Sequence, residues 1–257
     1  MNFFQAIGQM TLLAFREIGA ISLFTSRGLF GWVAGPFYWR AIGVSLMRIG
    51  FNSLPIVGIT AIFTGAALAL NIYDGSARFN AETFLPQILG VSIVRELGPG
   101  FAALMVAGRS SSAMAAELGA MRVSDQIDAM STLAVDPFKY LISPRIIAAT
   151  LALPILALVA DLIGIYGGYL VATRALGFEG ATFILSLDSF LTNRDVLIGL
   201  IKAGVFGFIL STMGCYYGYV SRGGAEGVGS ATRSAVVASA VLILASNYIL
   251  TMIFVGP

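Results

Sequence analysis

Residues 146–173 read IIAATLALPILALVADLIGIYGGYLVAT, an apolar stretch with a single charged side chain, Asp161. A helix needs about 20 predominantly apolar residues to cross the hydrocarbon core of a bilayer. This stretch exceeds that length, and backbone polar groups in hydrocarbon require the internal hydrogen bonds that a helix supplies. The stretch therefore predicts a transmembrane α-helix.

Four further apolar runs of at least that length accompany it. They occupy residues 51–73, 84–121, 196–220 and 234–255. The 257 residues are 58% hydrophobic and only 11% charged, with a mean hydropathy of +0.89, whereas soluble domains carry about 25% charged residues. The sequence thus predicts an all-α integral membrane protein with about five transmembrane helices. Pro99 follows Gly98 inside the longest run, which predicts a bend or a helix end there.

An N-terminal region, residues 1–50, is predicted to precede a single transmembrane domain, residues 51–257. Positions 3–27 mix apolar side chains with three charged ones, a pattern typical of an amphipathic helix in the membrane interface. The alternative is an additional spanning helix within residues 12–35. The same three charges argue against it, because each is costly at membrane depth.

Composition excludes several functions. The chain has no histidine and one cysteine, Cys215, so an intrachain disulfide is impossible and no metal site is predicted. The net charge of +2 comes without a basic run, which argues against a nucleic-acid partner. No Gly-x-x-x-x-Gly-Lys-Ser/Thr loop occurs, so the sequence offers no phosphate cradle for ATP. The first 27 residues lack the features of a cleaved signal peptide.

Basic residues are distributed unevenly between the two sides of the predicted bundle. One side carries nine of them: Arg16, Arg27, Arg40, Arg48, Arg122, Lys139, Arg145, Arg222 and Arg233. The other side carries three: Arg78, Arg174 and Arg194. Because lysine and arginine concentrate in cytoplasmic loops, the pattern predicts a cytoplasmic N-terminus and a C-terminus on the outer side.

Polar side chains within the predicted spans are candidate functional residues, because an unpaired charge is costly at membrane depth. Counted at about 1.5 Å per residue, Arg95 and Glu96 lie roughly 17 Å from the outer end of their run, and Lys202 roughly 9 Å. Asp161 and Asn247 fall in the same outer half. One interpretation is a structural lock between helices. The other is a polar zone in an apolar cavity, suited to a ligand with a charged head and apolar tails.

A second pair of charges, Arg109 and Glu117, lies nearer the inner end among small residues at 108–119. Small residues allow close approach of helices in lipid. We therefore expect a tight helix–helix seam here, with contact to a substrate as the less favoured alternative.

The segment 122–145 connects two spans on the inner side. Ser124 and Asp125 have the composition of a helix N-terminus, and Ile127 and Met130 are three residues apart on one face. The turn at Asp136 and Pro137 ends the helix, because a residue before proline avoids the helical region. The short helix is suited to bind a cytoplasmic partner, or it is a surface loop without one.

Short motifs in this region stand in an unbroken order. They are RELGP at 95–99, AGR at 107–109, ELGAMR at 117–122, DQIDAM at 125–130, AVDP at 134–137 and PR at 144–145. Together they resemble the MlaE/YrbE family of permeases, which are membrane subunits of ABC transporters that work with MCE proteins on lipids. The resemblance is densest over residues 90–168 and weaker towards the C-terminus, and the first 50 residues match in character only.

The resemblance implies an amphipathic N-terminal helix, five spans and a homodimer in the cell inner membrane. The implied function is transport of phospholipids between inner and outer membranes, which maintains outer-membrane lipid asymmetry. The implied partners are a cytoplasmic ABC ATPase, a periplasmic ring of MCE domains and a small STAS-like cytoplasmic subunit. ATP and Mg would bind to the ATPase, so this chain would be non-catalytic and would hold no cofactor.

The resemblance also assigns roles to residues. A lipid cavity at the centre of the dimer would be lined by Arg95, Glu96, Lys202, Asn247 and Asp161. The helix at about 124–131 resembles the coupling helix that docks on the ATPase. Its coupling residues would be Arg122, Asp125, Gln126, Ile127, Asp128, Met130 and Asp136. Some relatives have an acidic residue where Asn247 stands, so this chain would handle a head group without that charge.

Two other classes of function are weighed against this one. An ion-coupled secondary transporter would use Arg95, Glu96 and Lys202 as a relay, but no internal repeat is visible and five spans do not divide into two inverted halves. A membrane enzyme acting on lipid would need a nucleophile beside a base, and the sequence shows no such pair.

Overall fold

The computed structural model describes residues 3–33, 38–78 and 81–256, and these residues form helices and no β-strand. The eleven α-helices are α1 Phe3–Val33, α2 Trp39–Ile49, α3 Leu54–Ala77, α4 Leu85–Ser92, α5 Gly98–Val106, α6 Ser112–Val123, α7 Gln126–Thr132, α8 Ser143–Arg174, α9 Gly180–Phe190, α10 Asn193–Tyr219 and α11 Gly224–Val255. Short 3₁₀ turns at Phe51–Ser53 and Glu82–Phe84 and π turns at Ile93–Leu97, Ala107–Ser111 and Phe138–Ile142 join several of them.

Among the described residues, five helical segments are long and apolar enough to cross a membrane. They are span 1 Trp39–Ala77, span 2 Glu82–Val123, span 3 Phe138–Arg174, span 4 Asn193–Tyr219 and span 5 Gly224–Phe254. The predicted fold class, an all-α membrane protein with five spans, is confirmed. Span 1 begins at Trp39 because α2 continues through a 3₁₀ turn into α3, so the boundary predicted after residue 50 falls inside a span.

Span 2 is irregular at the position where proline was expected to bend it. A π turn, Ile93–Leu97, directly precedes Gly98 and Pro99, and the Gly98 N–H donates to the carbonyl of Ile93, five residues back. Proline has no N–H and its ring crowds the preceding turn, so a widened turn relieves both problems. The turn places Arg95 and Glu96 on a π segment of the helix.

Span 3 forms the centre of the bundle through close contacts of small residues. A Cβ atom built on Gly65 would overlap the backbone carbonyl of Gly164, and one on Gly167 would overlap the carbonyl of Ile62. Such small-residue seams replace the hydrophobic effect that is absent between helices in lipid. Spans 1 and 5 lie at the periphery of the bundle. In their apolar 18-residue stretches, 28% and 11% of the residues are buried, whereas the corresponding share is 56% in span 4.

The seam gives a matched pair of variants within α3. Gly65→Ala should lower the midpoint of thermal unfolding of the purified protein by several degrees, because the backbones must separate and overpacking costs about 1–3 kcal/mol. Gly75→Ala should leave the midpoint unchanged or raise it, since nothing lies within 4 Å of its added Cβ and alanine favours helices. Equal midpoints for the two variants would contradict the seam.

The N-terminal helix α1 packs on one end of the bundle. Phe24 is buried, with its ring centroid 5.3 Å from that of Phe138 and 5.5 Å from that of Tyr216. The Tyr216 hydroxyl donates to Glu17 over 2.9 Å, and the Ser143 hydroxyl donates to the Gly28 carbonyl over 2.6 Å. Within the described residues α1 is not one of the five candidate spans, so residues 12–33 do not support an additional spanning helix, and residues 34 and 35 of that alternative lie outside the described part of the chain.

Helix α7 begins later than predicted. Ser124 ends α6, with its hydroxyl donating to the carbonyl of Ala120 over 2.8 Å, so its predicted role as the N-cap of the next helix is wrong. Asp125 precedes α7 in the left-handed conformation, with φ of 57°, which aspartate tolerates better than most residues. The helix is therefore Gln126–Thr132 rather than 124–131.

Candidate functional site

Glu96 is the centre of a polar cluster that joins spans 2, 4 and 5. Its carboxylate accepts a hydrogen bond from Lys202 Nζ over 2.6 Å and one from Asn247 Nδ2 over 2.9 Å. The Thr251 hydroxyl lies 3.0 Å from the same carboxylate and accepts from Lys202 over 2.7 Å. The structure thus brings together three residues predicted for the site and adds Thr251, which the sequence analysis missed.

Arg95 belongs to the same cluster through a second ion pair. Its Nε lies 2.7 Å from Oδ1 of Asp195, at the start of span 4. The other oxygen of Asp195 accepts from the backbone N–H of Thr192, completing a capping box that fixes the beginning of α10. Sequence reasoning missed Asp195, although the Thr-x-x-Asp spacing before an apolar run was a usable signal.

The two ion pairs leave the cluster electrically neutral. Arg95 is paired with Asp195, and Lys202 with Glu96, so each cation has an acidic partner. The members differ in exposure: the Lys202 side chain is fully buried, whereas those of Arg95 and Glu96 are 28% and 33% exposed. Lys202 bonds to Glu96, Thr251 and the Arg95 carbonyl, which uses all three of its donors. It positions Glu96 and does not face the surroundings.

Asp161 lies apart from this cluster. Asp161 is buried in span 3 against Gly98 of span 2, and a Cβ atom added to Gly98 would overlap the Asp161 carboxylate. The Oδ1 atom of Asp161 has no hydrogen-bond partner among the described residues. The structure therefore places Asp161 at a contact between spans 2 and 3 and does not bring it to Glu96. In contrast, Asn247 lies within the cluster, and its buried Oδ1 has no hydrogen-bond partner in the part of the chain that the structure describes.

At the opposite end of the bundle, several of the predicted coupling residues hold α7 in place. Ile127 is 1% exposed. Arg122 forms a 2.5 Å ion pair with Asp128 and stacks over the ring of Tyr219, 5.7 Å from its centroid. The carboxylate of Asp136 accepts from the Phe138 N–H over 2.9 Å and caps the turn that starts span 3. Ile127 and Asp136 therefore contribute to the fold and Met130 is half-buried, while the role of these residues in coupling stays a prediction.

The outward face of α7 is formed by other residues. Gln126 and Ala129 of α7 and Leu133, which directly follows the helix, are exposed and keep the spacing of one helical face. Leu133 is 76% exposed, the largest value among the exposed large hydrophobic residues of the described chain. Asp125 is exposed at the N-terminal end of this face. We call Asp125, Gln126, Ala129 and Leu133 the α7 face. The sequence analysis missed Leu133, although it follows Gln126 by seven residues.

Arg109 and Glu117 line an open cavity of about 890 Å³ between α2, span 2 and the start of span 3. Arg109 also serves as a brace. Its Nη2 donates to the carbonyl of Arg48, and its Nε donates to the Ser53 hydroxyl over 3.0 Å. The helix–helix seam expected at residues 108–119 is therefore present only in part, because the side chains of Arg109 and Glu117 also line this cavity.

The arrangement defines a class: a polytopic all-α membrane protein with a neutral, partly exposed ion-pair cluster at one end of the bundle and an anchored short helix at the other. Comparison with known proteins agrees with a transport role. The profile of the family described as "Permease MlaE" matches residues 42–253. The chain belongs to the MlaE permease family and is a transporter permease.

Individual relatives match along most of their length. A probable ABC transporter permease protein of Rickettsia bellii is 47% identical over 99% of this chain and 98% of its own. The intermembrane phospholipid transport system permease protein MlaE of Haemophilus influenzae is 32% identical over 100% of this chain and 98% of its own. The chloroplastic protein TRIGALACTOSYLDIACYLGLYCEROL 1 of Arabidopsis thaliana is 37% identical over 86% of this chain and 63% of its own.

Proposed function

We propose that this chain is the permease subunit of an ABC transporter that moves phospholipids between the inner and outer membranes. The observation that carries the proposal is the partly exposed pair Arg95 and Glu96, held within span 2 by Asp195 and Lys202. Charged side chains within a membrane span are costly, which makes them candidates for a functional site. A neutral polar patch beside apolar surface suits a molecule with a charged head group and two acyl chains.

The cluster borders the least covered part of the molecule. Asn247 and Thr251 belong to span 5, whose neighbouring side chains Leu244, Tyr248 and Met252 are each at least 58% exposed. A second copy packed on this side would turn the exposed face into the wall of an enclosed cavity. The homodimer implied by the resemblance supplies that copy, with Arg95 placed to bind the phosphate of the lipid.

Energy for transport is proposed to come from a separate ABC ATPase, which binds ATP and Mg. The α7 face would bind this subunit, and the Arg122–Asp128 pair would transmit its movement to spans 2 and 4. The name of the Rickettsia relative, a probable ABC transporter permease protein, supports such a partner. The MCE ring and the small STAS-like subunit are carried over from the family resemblance alone.

The proposed location is the cell inner membrane, with the N-terminus in the cytoplasm and the C-terminus in the periplasm. This orientation rests on the nine basic residues at the α7 end against three at the other. It places the α7 face in the cytoplasm, where an ATPase finds ATP, and the Glu96 cluster towards the periplasm.

The proposal is tested by reconstituting the chain in liposomes with a candidate ABC ATPase from the same genome. Movement of a fluorescent phospholipid to an acceptor should require ATP, Mg and both subunits, and should continue after ionophores have removed all ion gradients. Lipid movement driven by an ion gradient without the ATPase would overturn the proposal and favour the ion-coupled alternative.

A further inference from the structure

The open cavity at the α7 end carries an excess of positive charge that the proposed transport path does not use. Its charged lining consists of four arginines and one carboxylate: Arg40, Arg48, Arg109, Arg145 and Glu117. The net charge of this lining is +3, whereas the Glu96 cluster at the other end is neutral. Like charges gathered in one cavity repel each other and favour the binding of an anion.

Internal pairing within the described residues does not neutralise this charge. Glu117 is shared by two arginines, at 3.2 Å from Arg48 and 2.9 Å from Arg145. Arg145 is 86% buried, and its Nη1 has no hydrogen-bond partner among the described residues. A buried donor without a partner is costly, and Nη1 belongs to a residue that lines the cavity.

The cavity also has the aromatic lining that is typical of the lipid head-group region. Tyr38, Trp39 and Tyr140 border it, and the rings of Tyr38 and Tyr140 meet edge to face with centroids 5.1 Å apart. Tyrosine and tryptophan are enriched at membrane interfaces, and basic pockets between spans bind anionic head groups. Arginine forks match phosphate oxygens in pairs.

We propose that this cavity binds the phosphate of an anionic phospholipid from the leaflet at the α7 end of the bundle. The site is separate from the transport path, and only the assignment of that leaflet to the cytoplasmic side rests on the proposed function. Arg40, Arg48 and Arg145 bind the phosphate, while Arg109 braces α2 and adds charge. Glu117 limits the affinity by competing for two of the arginines.

The test measures lipid binding by the permease alone, so its outcome is independent of transport. The full chain with Trp32→Phe, which leaves Trp39 as the single tryptophan, is placed in nanodiscs of phosphatidylcholine with a minor fraction of brominated phosphatidylglycerol. Quenching of Trp39 should exceed that by the same fraction of brominated phosphatidylcholine. In Arg40→Gln/Arg48→Gln, half-maximal quenching should need about tenfold more anionic lipid.

Two further variants separate binding from folding. Arg78→Gln, at the other end of the bundle, should behave like the parent. Glu117→Gln should shift half-maximal quenching to less anionic lipid, because it frees two arginines. Equal quenching by both lipids, or no shift in either direction with the cavity variants, would overturn the proposal. Displacement of the anionic lipid by inorganic phosphate at equal concentration would assign the cavity to a free anion and overturn the lipid assignment.

Discussion

Lys202→Met is expected to lower the stability of the purified permease substantially. Methionine fills the same volume but removes the charge that compensates Glu96 and the donor that binds Thr251 and the Arg95 carbonyl. Breaking a buried ion pair by removing one partner costs about 3–5 kcal/mol. Glu96 is 33% exposed, so we expect the lower part of that range. The midpoint of thermal unfolding in detergent measures it.

A matched control comes from an exposed ion pair. Arg78 lies 3.4 Å from Asp74, with both side chains at least 74% exposed. Exposed pairs contribute about 0–1 kcal/mol, so Arg78→Met should leave the unfolding midpoint nearly unchanged. If Lys202→Met and Arg78→Met gave the same small change, the buried network would not stabilise the bundle.

The double variant Lys202→Met/Glu96→Gln distinguishes the two interpretations of the cluster. Removing both charges leaves no uncompensated carboxylate, so most of the lost stability should return. Lipid transfer by the reconstituted transporter should stay low, because the proposed contact with the head group has lost its charge. Recovery of transfer together with stability would show that the cluster is only a structural lock.

The sequence predicts the membrane class and the number of spans because apolar length is a local property. It also places Arg95, Glu96 and Lys202 in the outer half of the membrane, since depth follows from counting along each helix. Pairing does not follow from depth. Asp161 has a suitable depth but lies against Gly98, and Asp195 binds Arg95 only because span 4 packs beside the π turn.

The rotation of a short helix is the second property that the sequence leaves open. Ile127 and Met130 were predicted to share a face, but a seven-residue helix has too few apolar positions to show which side is buried. The structure turns Ile127 inward and leaves Leu133 outward. The residues predicted to couple to an ATPase therefore fall into two groups. Some anchor α7 to the bundle, and others are exposed to a partner.

Leu133→Asp is accordingly expected to uncouple the permease from its ATPase without unfolding it. Leu133 is 76% exposed, and exposed substitutions usually change stability by less than about 0.5 kcal/mol. In an interface, an apolar anchor is worth about 2 kcal/mol or more, which corresponds to roughly 30-fold weaker binding. Aspartate adds a further penalty, because Asp125, directly before α7, and Asp128, within it, are already acidic.

Co-purification of a tagged permease with the ATPase measures this effect, alongside ATP-driven lipid transfer. Leu185→Asp is the matched control, since Leu185 is 70% exposed on α9 and lies away from the α7 face. The control should retain the ATPase, whereas Leu133→Asp should lose it while keeping its unfolding midpoint. Ile127→Asp should fail differently, by unfolding, because it buries a charge where 1% of the side chain is exposed. Retention of the ATPase by a folded Leu133→Asp variant would remove the α7 face from the interface and leave α7 as an ordinary connection between two spans.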